Sequence, residues 1–85
     1  MPPFETIWNR VIGNQGNPFQ TIENKEFTYK VVGNRLICSR VKYNIRKKDF
    51  ELVYNIWPVN GPGAIPANIN GRSYVWAVLN DERIL

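Results

Sequence analysis

The chain has no histidine among its 85 residues. That removes the commonest general base near neutral pH and the commonest neutral metal ligand. Cys38 is the only cysteine, so no internal disulfide can form and the usual Cys/His zinc sets cannot be assembled. Small secreted domains normally depend on disulfides, so a lone thiol points to a reducing compartment, and the cytoplasm is the expected location. The start, Met1-Pro2-Pro3-Phe4-Glu5, shows neither the basic n-region nor the apolar h-region of a signal peptide. Long apolar runs are missing too. The longest, Tyr74–Leu79, has six residues, against about 20 for a bilayer crossing. No membrane partner is expected.

One absence is local. Between Phe27 and Lys48 there is no acidic residue, yet the stretch holds Lys30, Arg35, Arg40, Lys42, Arg46, Lys47 and Lys48, seven of the eleven basic residues of a chain with net charge +4. The acids lie outside it, at Glu5, Glu23, Glu26, Asp49, Glu51, Asp81 and Glu82.

Aromatic residues are plentiful. Three Trp, four Tyr and four Phe supply large apolar surfaces to a chain long enough for one modest core and too short for two. A hydrophobic content of 44% with 21% charged residues is that of a globular chain rather than a disordered one. Residues 1–85 are expected to form a single small domain.

Phe4, Ile7, Trp8, Val11 and Ile12 recur at helical spacing, with Pro3 suited to the first helical position and Gly13-Asn14 to a stop. Phe19–Ile22 reads as a short strand. Phe27–Val32 and Arg35–Val41 flank Gly33-Asn34, a two-residue hairpin signal. That turn sets Val32 opposite Arg35, Val31 opposite Leu36, Tyr29 opposite Cys38 and Phe27 opposite Arg40. One face then carries Phe27, Tyr29, Val31, Leu36 and Cys38, and the other carries Thr28, Lys30, Val32, Arg35, Ile37 and Ser39, so the register separates a core face from a basic one.

Asn44 reads as the N-cap of a second helix carrying Phe50, Val53, Tyr54 and Trp57 on one stripe, widened by Ile45, Leu52 and Ile56, and ended by Pro58. Asn60–Asn68 is rich in Gly and Pro and predicts a long loop of the functional or mobile kind. Ser73–Leu85 has helical spacing together with strong β character; helix is the reading adopted, with Ser73 as its cap. The predicted architecture is α+β, in the order α-β-β-β-α-α: a three-stranded antiparallel meander packed against two or three helices.

The chemistry for catalysis is thin. Cys38 falls on the core face with no histidine to activate it. Glu23-Asn24-Lys25 spells a short nuclease-like pattern with Glu26 beside it, but it falls on a predicted turn and no further acid completes a magnesium site. The sequence predicts no enzyme, cofactor or metal. It predicts a binding module whose basic stretch engages nucleic acid or another polyanion through Lys30, Arg35, Arg40, Lys42, Tyr43, Arg46, Lys47 and Lys48. Three of these cations crowd the start of the second helix, where the dipole favours acids; Asp49 offsets some of that cost, and a bound phosphate would reconcile the rest. Tyr43 can be read as a ring for base stacking or as a hydrophobic staple before that helix. The competing expectation is a protein-binding or homodimeric accessory domain that uses Trp57, Tyr74 and Trp76 as an apolar patch.

Overall fold

The computed structural model describes residues 1–85. Pro3 stands at the N-cap of α1 (Phe4–Gly13), one position ahead of the expected place, and the helix buries Ile7, Trp8 and Val11. Ile12, at the margin of the apolar stripe, is left exposed. The chain turns through Asn14–Pro18 into β1 (Phe19–Gln20), which pairs antiparallel with β2 (Glu26–Phe27). The connection between them contains Glu23-Asn24-Lys25 as a turn. Thr21 accepts from the Asn24 amide, and its own amide donates to the Lys25 carbonyl. Asn24 takes a left-handed conformation, φ 63°.

A second sheet follows, made of β3 (Tyr29–Val32), β4 (Arg35–Cys38) and β5 (Asn44–Arg46) in that spatial order. The hairpin register agrees with the sequence for its four inner pairs, Tyr29 with Cys38, Lys30 with Ile37, Val31 with Leu36 and Val32 with Arg35. Gly33 supplies the positive φ, 60°, that the tight turn requires. Phe27 does not meet Arg40 as expected; it lies opposite Phe19. The ladder gives way at Thr28, whose amide donates to the Ser39 hydroxyl while its carbonyl accepts from the Ser39 amide. The strand thereby splits in two and serves both sheets.

The third strand of the meander is thus not Phe19–Ile22 but β5, which the sequence assigned to a helix. Asn44 is not an N-cap: it pairs with Ile37, Ile45 with Leu36, and Arg46 with Arg35. Helix α2 (Lys47–Asn55) begins after Arg46, with no side-chain cap, and buries Asp49, Phe50, Val53 and Tyr54.

Asn60–Asn68 is irregular apart from one 3-10 turn at Pro62–Ala64. It is nevertheless built into the core rather than free, since Val59, Ile65 and Ile69 are buried. Ser73–Leu79 is helical, as part of α3 (Arg72–Leu79), and its N-cap is Gly71 in a left-handed conformation rather than Ser73. A Cβ at Gly71 would stand 2.7 Å from the Ile45 side chain, so both φ and space hold this position to glycine.

Three helices and two small antiparallel sheets make an α+β fold. Twenty buried residues form one continuous core. Phe27, Tyr29, Leu36 and Cys38 point into it with Ile7, Trp8, Val11, Phe50 and Val53, as the hairpin register required. The Tyr29 hydroxyl donates to the Val11 carbonyl at 2.7 Å, tying β3 to α1. No helix is long and apolar enough to cross a membrane.

Candidate functional site

The alternation that buries one face of the β3-β4-β5 sheet leaves the other bare. Lys30, Ile37 and Asn44 form one cross-strand row on the outer face, and Val32, Arg35 and Arg46 form the next. Arg35 therefore lies directly opposite Arg46 on strands about 4.8 Å apart. Like charges in that relation disfavour the pairing. The pair is held there by what lies beneath: Leu36 and Ile45 are fully buried, and the Lys47 amide donates to the Asn34 carbonyl at 2.8 Å. That bond joins the hairpin turn to the start of α2.

The result is a shallow cavity of about 580 Å³ lined by Asn34, Arg35, Arg46, Lys47, Lys48 and Glu51, with no apolar lining residue. Two of its four cations already have carboxylate partners. Arg46 reaches Asp49 through two bonds, Nε to Oδ2 at 3.2 Å and Nη2 to Oδ1 at 2.9 Å. These bonds raise the guanidinium above its ordinary pKa. Asp49 is buried and Arg46 largely exposed, so the acid holds one edge of the guanidinium, Nε and Nη2, while most of the side chain stays accessible. Lys47 sits 3.0 Å from Glu5 Oε2, with its Nζ 5.8 Å from the Trp8 ring centroid.

The crowding of cations at α2 is therefore smaller than the sequence implied. Arg46 precedes the helix, Lys47 is paired, and Asp49 gives the first turn the acid its dipole favours. Lys30, Arg35 and Lys48 are exposed and form no ion pair. Lys30 is diagonal to Arg35 on the same face.

Other residues of the basic stretch lie elsewhere. Arg40 and Lys42 are exposed on the turn between β4 and β5, at the opposite end of β4 from Arg35, about 10 Å or more away at the usual strand rise. Tyr43 is on that turn as well. Because β5 intervenes, it cannot staple α2; its ring lies against Gly71 at the start of α3, where burial pushes the phenol pKa up.

The three aromatics proposed for an apolar patch are packed against the core. Tyr74 meets Phe27 edge to face at 5.0 Å, and Trp76 Nε1 donates to the Val59 carbonyl at 2.8 Å. Trp57 is likewise half-buried. Cys38 is buried, and that burial raises its thiol pKa, the reverse of what a nucleophile requires. Cys, Asp and Glu side chains do not gather in threes anywhere that could hold a metal ion.

Sequence reasoning set Asp49 beside the cations without its two-bond hold on Arg46, and missed Glu5 as the partner of Lys47 and Asn34 and Asn44 as neighbours. The Arg35–Arg46 opposition depends on β5, a strand of three residues with no alternation long enough to recognise.

No protein-family model matches the chain, and no curated protein or solved structure does either. The functional reading rests on geometry alone.

Proposed function

We propose that this protein is a non-catalytic binding module that grips a polyanion, nucleic acid foremost, with the outer face of the three-stranded sheet and the adjoining start of α2. The observation that carries this reading is Arg35 placed across from Arg46 on a solvent-facing sheet, with Lys30 and Lys48 unpaired beside them. A fold needs no such arrangement, because a like-charged cross-strand pair opposes pairing. A bound anion converts that repulsion into shared attraction. The non-catalytic part of this reading is supported by the buried thiol and by the lack of histidine, the commonest general base. A lone buried cysteine suits a reducing compartment, and we place the protein in the cytoplasm on that ground.

The alternative, a protein-binding or homo-oligomeric module using exposed aromatics, has less to stand on, since Trp57, Tyr74 and Trp76 are occupied with the core.

The test is retention on immobilised heparin and on DNA. The variant is Arg35→Glu with Lys48→Glu, because Lys47→Glu would set two carboxylates together at Glu5 and disturb the fold. Retention should disappear while circular dichroism and the melting temperature stay within a few degrees of the parent. Unchanged retention would end this reading.

A further inference from the structure

The composition of the outer face says more about the anion. Resting on the polyanion reading, we infer that the ligand is the sugar–phosphate backbone of a nucleic-acid duplex, gripped at about three phosphates without contact to the bases.

Single strands are held by aromatic platforms on which successive bases stack. The outer face has none: its six positions are Lys30, Val32, Arg35, Ile37, Asn44 and Arg46. Tyr43, the exposed aromatic nearest in sequence, lies beyond the far end of β5, against α3. Base readout in a duplex needs an element that enters a groove. Here the hairpin tip is bound down to α2 through Asn34 and Lys47, and the exposed side of α2, made of Lys48, Glu51, Leu52 and Asn55, sets a carboxylate and an apolar side chain beside its one cation, which disfavours entry into a groove. Val32 and Ile37, exposed on the same face, have no ring to stack on a base and no donor to read one, and what remains is positioned charge, which meets phosphates and carries no sequence information.

The number of contacts follows from which cations are free. Lys30, Arg35 and Lys48 have no carboxylate partner, whereas Arg46 and Lys47 are engaged by Asp49 and Glu5. Those two acids compete with ligand phosphates for the same donors, and so set the affinity below what five cations would give. Three neutralised phosphates release counterions with a log–log salt slope of about −2.7 on a duplex. Affinity should then fall roughly 40-fold between about 50 and 200 mM salt.

The experiment is a salt titration by fluorescence anisotropy. Its probes are short duplexes of two unrelated sequences, an oligo-dT single strand of equal length, and labelled heparin. The expected result is equal affinity for the two duplexes, weaker binding of the single strand, and the slope just given. Arg35→Ala should reduce the slope by about 0.9, and Glu5→Gln should increase it by up to about 0.9 as Lys47 is released. A purely structural role for either residue would move stability and leave the slope alone.

Tenfold tighter binding of the single strand overturns the inference. So does tenfold discrimination between the duplexes, or a slope insensitive to both substitutions. Binding of heparin without nucleic acid overturns it while the polyanion reading stands. Binding of neither overturns both.

Discussion

Arg10, Arg72 and Arg83 are used differently from the cations on the outer face of the three-stranded sheet. Arg10 Nη1 donates to the Ile84 carbonyl at 3.0 Å and Arg72 Nη1 to the Ile65 carbonyl at 3.4 Å. Arg83 does more: Nη2 donates to the Pro18 carbonyl at 2.9 Å, Nε and Nη2 hold Asp81, and the guanidinium carbon lies 4.0 Å from the Phe19 ring centroid. These arginines fasten the C-terminal corner and the long loop to the body. On the β3-β4-β5 sheet, by contrast, Lys30 and Arg35 hold nothing, and Arg46, although held by Asp49, still stands across from a like charge. A cation that serves the fold shows its partner in the structure, and those of the outer face mostly lack one. The division follows position in the fold rather than in the sequence, since Arg46 and Lys47 of the basic stretch are paired and Lys25 outside it is exposed without an ion pair.

The largest expected effect comes from removing the support under the outer face. Ile45 is fully buried beneath Asn44 and Arg46. Ile45→Ala should cost about 2–5 kcal/mol and lower the melting temperature by roughly 10 °C or more, as a calorimetric scan would show. A helical Ile45 at the margin of its stripe, as the sequence suggested, would give a much smaller loss.

Next in size is Arg83→Ala. Loss of the Pro18 bond and of contact with Phe19 should cost about 1 kcal/mol, a fall of roughly 4–8 °C in melting temperature, with heparin retention scarcely altered. An equal loss of retention would erase the distinction between the two groups of cations.

A smaller effect is expected in acid. The Arg83 guanidinium beside Asp81 holds its carboxyl below the usual aspartate range. A carboxyl whose folded pKa is depressed contributes stability that is fully present above the unfolded value, about 3.9, and lost as pH falls through the lower folded value. Urea midpoints followed through that window should fall less steeply in Arg83→Ala than in the parent.

The smallest effect belongs to Arg40→Ala with Lys42→Ala. These side chains lie at the far end of the sheet and touch no acid. Stability should not change, and duplex affinity should drop far less than with Lys30→Ala and Arg35→Ala together.

Much of this was legible in the sequence. The helical spacing of α1, the Gly33-Asn34 turn and the alternation from Tyr29 to Cys38 are local signals, and each fixes which side chains enter the core. What the sequence could not carry was pairing between distant short segments. β1, β2 and β5 have two or three residues each, too few for a period of two to stand out. Ile45 sits as naturally on the margin of a helical stripe as on a strand. Its position was decided by Leu36 across the sheet and by the space over Gly71. At the candidate site the basic stretch was legible as composition. Its division into free and partnered cations was not, because Glu5 comes from α1, forty-two positions before Lys47. The aromatics misled for a related reason: Tyr74 and Trp76 owe their burial to Phe27 and Val59, which are remote in sequence.

The central claim is that Arg35 faces Arg46 at a cost to the fold and for the sake of a ligand. Urea unfolding of Arg35→Glu beside the parent, at low and at high salt, tests it most directly. The substitution turns a cross-strand repulsion into an attraction. The variant should therefore have the higher midpoint at low salt, with the difference shrinking as salt screens the pair, and it should no longer be retained on heparin. A lower midpoint at low salt with retention intact would contradict the claim.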